Sequence, residues 1–128
     1  MIFVFGSNEA GIHGAGAARF ALNRKGAVWK KGIGHHGQSY AIPTKDRNIK
    51  TLDLISIEKY VGQFNDFARK HPNMEFQVTQ IGCGLAGLNP KDIARMFVNS
   101  PDNCLFDSAW EPLFKEYMVE KRYWGTFP

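Results

Sequence analysis

The sequence predicts an α/β domain in three layers, a mostly parallel or mixed central sheet with helices on both faces. Three observations carry this. Short β-prone apolar runs alternate with helical segments along all 128 residues. The first run, Ile2-Phe3-Val4-Phe5, is apolar at every position, as in a strand covered on both faces. Glycine-rich loops follow the strands rather than interrupt them, the arrangement of ligand-binding α/β units.

The first strand runs into Gly6-Ser7-Asn8, and a loop over 9–16 holds Gly11, Gly14 and Gly16. Small residues then favour a helix over 17–25, closed by Gly26 just past its end. Residues 32–37, Gly-Ile-Gly-His-His-Gly, form a second loop. A short strand over 39–42 is stopped by Pro43, which leaves Thr44-Lys45-Asp46 beyond its carboxyl end. The clearest helix covers 56–71. There Ile57, Tyr60, Val61, Phe64, Phe67 and Ala68 recur at the 3.6-residue period, and His71-Pro72-Asn73 ends it. A strand over 75–81 leads into Gly82-Cys83-Gly84-Leu85-Ala86-Gly87. Asn89-Pro90 then starts a helix, with Asn as cap and Pro in the first turn, running to about residue 98. A last strand over 103–106 and a helix over 111–121 complete the order. No repeat or linker divides the chain, so residues 1–128 form one domain.

Composition narrows the function classes. At 44% hydrophobic and 22% charged residues the chain is globular rather than disordered. No apolar run reaches the ~18 residues of a membrane span, and no signal peptide is expected, because no basic segment with an apolar core is seen ahead of the first strand. Two cysteines, Cys83 and Cys104, do not make a disulfide framework and suit a reducing, cytoplasmic setting. A formal charge of +4 favours an anionic ligand. The pairs Arg24-Lys25, Lys30-Lys31 and Lys121-Arg122 read as solvated surface.

Parallel sheets bind ligands at the carboxyl ends of their strands. Here those ends carry Gly6-Ser7-Asn8, Thr44-Lys45-Asp46 and Gly82-Cys83-Gly84, all on one edge. Eight of the thirteen glycines lie within 6–37 and three within 82–87. The backbone of 11–16, followed by a helix start built from Ala15, Ala17 and Ala18, suits a phosphate. It is neither a dinucleotide fingerprint, because position 19 is Arg, nor a P-loop, because no Gly-Lys-Ser/Thr follows. The 82–87 loop is a second cradle. Two facing cradles fit a diphosphate, as in a nucleotide-diphosphate sugar. Lys45 is a phosphate contact, a nucleophilic amine or an ordinary surface lysine. Asn8 holds a ligand hydroxyl or shapes a turn. Cys83 is a reactive thiol or, by default, a small buried residue. His13, His35 and His36 lack the companions a zinc site needs, and no metal or cofactor is expected.

Three stretches together resemble the macrodomain family, in the branch of terminal ADP-ribose glycohydrolases and of antitoxins that strip ADP-ribose from DNA. They are His13-Gly14-Ala15-Gly16-Ala17-Ala18, Tyr40-Ala41-Ile42-Pro43-Thr44-Lys45 and, most specific, Ile81-Gly82-Cys83-Gly84-Leu85. The resemblance spans about 2–98. It implies an ADP-ribose-type ligand, carried on DNA or protein, contacted by Asn8, His13, Gly14, Ala15, Gly16, Thr44, Gly82, Cys83, Gly84 and Leu85. It further implies that Lys45 attacks C1″ of the distal ribose. Two positions depart from the family pattern. The family's catalytic aspartate is replaced by Ala86, and the earlier strand whose Gly-Asp reads adenine is missing ahead of Ile2. Stacking on Phe106, otherwise a core residue, is one substitute for the lost adenine contact. Two functions follow as expectations: an ADP-ribose-binding protein that hydrolyses ADP-ribosyl linkages through Lys45, and a non-catalytic binder that sequesters an NAD-derived nucleotide signal. A module facing nucleic acid is a third, for which +4 is slight support.

Overall fold

The computed structural model describes residues 1–127. Its elements are β1 (Ile2–Asn8), α1 (Gly16–Arg24), β2 (Gly34–His36), β3 (Ser39–Lys45), α2 (Leu54–Lys70), β4 (Phe76–Val78), α3 (Pro90–Ala94), β5 (Cys104–Asp107), α4 (Glu111–Glu116) and β6 (Arg122–Gly125). The six strands form one mixed sheet in the order β2-β3-β1-β4-β5-β6. Only β2, which pairs with β3, is antiparallel.

β1 lies in the middle of the sheet because it is apolar on both sides. Ile2 and Val4 face α2, α3 and α4, in a core completed by Ile57, Val61, Phe64, Ile93, Phe97, Phe106, Trp110 and Phe114. Phe3 and Phe5 point the other way, toward Ala21 of α1. The smaller layer is thus α1 with Ala27 buried just after it, and Phe20 of the helix and Phe127 pack partly buried against them. Each Phe side chain buried in this way contributes about 1.5–3 kcal/mol. Among the described residues no helix is long and apolar enough to cross a membrane.

Several element boundaries differ from expectation, each for a physical reason. Pro43 does not stop β3, which continues to Lys45. The Phe3 N–H donates to the Gln38 carbonyl, so the even-numbered residues of β3 donate to β1 and Pro43 falls on the opposite side. On that side β2 has ended opposite Ala41, so the missing N–H has no ladder to break. The 32–37 loop contains the short strand β2. α2 begins at Leu54 because the Asp53 carboxylate accepts the Ser56 N–H and caps it. The strand read over 75–81 is ladder-paired only over Phe76–Val78. The helix from Asn89-Pro90 is α for five residues and then tightens to a 3₁₀ turn, Arg95–Phe97. α4 ends at Glu116, because Met118 turns left-handed at φ 60. That reversal frees 122–125 to become β6, a strand the sequence reading missed.

Candidate functional site

The carboxyl ends of β1, β3 and β5 and the loop after β4 open onto one cleft of about 550 Å³, a volume typical of small-ligand sites. Gly6, Ser7 and Asn8 of β1 and Thr44 and Lys45 of β3 line its base. The segment around Gly14, Ala15 and Gly16 lies on one side and Gly82, Cys83, Gly84 and Leu85 on the other. The two loops meet at the mouth, where a Cβ placed on Gly16 would sit 3.8 Å from Leu85 Cδ1. Asp107 and Phe127 close the far end beside β5. Lys45 and Asp107 stand three strands apart in the sheet, about 14 Å at ~4.8 Å per strand.

The first loop ends at an uncapped helix. Ala15, the N-cap of α1, offers no side-chain acceptor, and the first turn has no acidic residue. Its free N–H groups and the positive end of the helix dipole lie beside Ala15, Gly16, Ala17 and Ala18, all of them on the cleft. The second loop differs. α3 is only five residues long, and Asn89 already accepts the Lys91 N–H, so any cradle here is the backbone of 82–86 alone. Side chains at Gly14 or Gly84 would meet no atom within 4 Å. Packing therefore does not demand glycine at these two positions, and their effect is to leave backbone bare toward the cleft.

Lys45 reaches the cleft half-buried and takes no part in the ion pairs found among the described residues. The neighbouring Asp46 does not pair with it, because Asp46 Oδ1 accepts the Asn48 and Lys50 N–H groups and holds the 46–50 turn. Thr44, 3% exposed, donates its hydroxyl to the Ser7 carbonyl. Asn8 is committed at both amide atoms, donating to the Ile12 carbonyl and accepting the Ile12 N–H, so it staples the loop while lining the cleft. Burial pushes the Cys83 thiol up to about 11, and its Sγ contacts the Ile81 carbonyl. A thiol held neutral in this way fits the small buried residue, not the reactive one.

Ten of the eleven residues singled out from sequence, Lys45 included, share this cleft. His13 is the correction. Its side chain is 1% exposed and withdrawn from the cleft, packed edge-on to Phe5, with Nε2 3.1 Å from both the Val28 and Lys31 carbonyls. Both partners are acceptors, so Nε2 carries the proton. His13 pins the 26–33 turn to the loop. His35 and His36 lie on β2, away from the cleft. Among the described residues no group of three or more His, Cys, Asp and Glu side chains converges as a metal site would require.

Asp107 and Phe127 are among the cleft residues that escaped the sequence reading. Asp107, fully buried, is the one carboxylate on the cleft lining among the described residues. It accepts the Ala109 N–H at 2.9 Å, the Thr126 hydroxyl at 3.1 Å and the Phe127 N–H at 3.2 Å. The rule that picked out the other strand ends would have found it, since it directly follows Cys104-Leu105-Phe106. Phe127 was hidden because β6 was not foreseen. Phe106 is corrected too. It is wholly buried among Phe97, Trp110 and Phe114 and presents no face to a ligand.

Comparison with family models, curated proteins and solved structures finds no match for the chain. The fold and cleft by themselves define an α/β protein with a cleft at the carboxyl edge of its sheet.

Proposed function

We propose that this protein binds ADP-ribose or a closely related nucleotide-diphosphate sugar, as the macrodomain resemblance implies. The single observation that supports it best is the convergence of two bare-backbone loops, an uncapped helix start and an unpaired lysine on one cleft. In this reading the diphosphate lies between the loops, taking N–H groups that no side chain satisfies. The distal ribose lies toward Lys45 and the base toward Phe127, whose ring rests on Phe3 and Phe20. With an adduct on DNA or protein as substrate, Lys45 Nζ attacks C1″ and gives up its proton, the bond to the linked group breaks and that group leaves protonated, and water then hydrolyses the Lys45–C1″ bond to release ADP-ribose.

A specific residue favours the second reading, a non-catalytic binder of an NAD-derived nucleotide. The position where the family keeps its proton-transferring aspartate holds the methyl group of Ala86, which lines the cleft. Asp107 is no replacement, because its oxygens are occupied and it lies at the opposite end.

Titration calorimetry with ADP-ribose, followed by a product assay on ADP-ribosylated DNA and protein, tests both. A saturable heat with release of ADP-ribose, abolished in Lys45→Ala while the melting temperature holds, supports the hydrolase. Heat without release supports the sequestering form. No heat at millimolar ligand, where binding would be weaker than about −4 kcal/mol, overturns the assignment.

A further inference from the structure

We propose that the face built from α1 and the 26–33 turn is a docking surface for a single-stranded nucleic acid, with Trp29 as its stacking platform. This proposal does not depend on what the cleft binds. Residues 10–45 contain Arg19, Arg24, Lys25, Lys30, Lys31 and Lys45 and not one Asp or Glu. The remainder has ten basic and twelve acidic residues, so the net positive charge of the chain resides in this segment. Read along the chain, these cations look scattered. The fold puts their two carriers side by side, because α1 and the turn, through Ala21 and Ala27, pack on the same side of the sheet. Arg19 and Arg24 on α1 and Lys30 and Lys31 on the turn are all exposed, and none joins an ion pair found among the described residues.

Apolar groups are displayed among these charges. Val28, Trp29 and Ile33 are 44%, 47% and 44% exposed. The turn that carries them is rigid. Lys30 N–H donates to the Gly11 carbonyl at 2.8 Å, His13 holds the Val28 and Lys31 carbonyls, and Ser7 Oγ donates to the Gly32 carbonyl. A Cβ on Gly11 would lie 2.3 Å from the Lys30 backbone, so turn and loop are in backbone contact. A half-exposed indole on a fixed turn, flanked by Lys30 and Lys31, offers a base a stacking face and its phosphates two cations at once. A duplex hides its base faces and would leave the indole without a role. A bilayer would need a broader apolar face than three half-exposed side chains.

The test is fluorescence anisotropy with a labelled oligothymidylate of about 16 nucleotides. Neutralising four phosphates predicts a log–log salt slope of about −3, so raising salt from 50 to 200 mM weakens binding about fifty-fold. The double variant Lys30→Ala/Lys31→Ala is expected to lower that slope by about 1.4. Trp29→Ala is expected to weaken binding at least about five-fold and Trp29→Phe to retain most of it. Lys115→Ala, on the other side of the molecule, should change nothing, and excess ADP-ribose should not displace the strand. Circular dichroism of each variant checks folding. The proposal is overturned by any of four results: no binding at about 100 μM protein, binding indifferent to salt or to these variants, displacement by ADP-ribose, or equal binding of duplex, polyglutamate or phosphatidylserine vesicles.

Discussion

Removing the Asp107 carboxylate should loosen the end of the cleft and cost about 3 kcal/mol of stability. The side chain caps the Ser108–Trp110 turn through the Ala109 N–H, a contribution of about 1 kcal/mol. Its other oxygen holds the Thr126 hydroxyl and the Phe127 N–H. Each such bond is worth about 1 kcal/mol, a net figure that already contains the desolvation of the acceptor. Without them Phe127 is no longer held against Phe3 and Phe20, where its ring lies 5.5 and 5.2 Å from theirs, and part of its burial is lost as well. For a chain of this size the loss corresponds to a fall of roughly 10 °C in melting temperature. The assay is a double-mutant cycle by thermal melting: wild type, Asp107→Ala, a chain ending at Gly125, and the two changes combined. If the carboxylate acts mainly by clasping the terminus, the combined variant is little worse than Asp107→Ala alone. Fully additive losses, or an unchanged melting temperature in Asp107→Ala, would refute the clasp.

Two further predictions separate packing from binding and locate the alkaline limit of the fold. Gly32→Ala places a methyl group 1.9 Å from the Asn8 carbonyl oxygen, an overlap only backbone movement can relieve, and should lose about 3 kcal/mol in urea denaturation. Gly14→Ala meets nothing within 4 Å and should leave the urea midpoint in place while weakening the ADP-ribose binding proposed for the cleft. Equal midpoints for both variants would contradict the assignment of roles to the two glycines. Burial, and then the nearby Asp66, raise the Tyr40 hydroxyl to about 12; for Tyr60 the hydrogen bond it donates to Glu9 comes first, then burial, also to about 12. A raised value means the fold favours the protonated phenol, so this stabilisation is complete below pH 10 and lost as pH climbs from 10 toward 12. Ultraviolet titration should show late phenolate formation that coincides with unfolding. Phenolate absorbance complete near pH 10 would exclude it.

Much of the site was legible because strand ends announce themselves locally. An apolar run followed by Gly-Ser-Asn, Thr-Lys or Gly-Cys-Gly marks a carboxyl end, and parallel topology then carries all three to one edge. The helices were legible from their periodicity and caps, as at Asn89-Pro90. What failed depended on partners distant in the chain. Pro43 looks like a stop until the side of the strand it occupies is known. His13 sits inside a glycine-rich motif and reads as a ligand contact, yet two carbonyls 15 and 18 residues away claim its ring. β6 is four residues long and gains its ladder only from β5, so no local signal distinguishes it from a tail.

The sequence by itself determined the alternation of strands and helices, the apolar faces and the bare glycine backbone, because these follow from side-chain periodicity and from the absence of a Cβ. Only the tertiary structure decided that residues 126 and 127 return to wall the cleft, that Asp107 holds them there, and that four of six scattered cations stand exposed on α1 and on the turn packed beside it. Hydrogen bonds and surface fields of that kind join residues far apart in the chain, and they acquire a direction only when packing has set which atoms face each other.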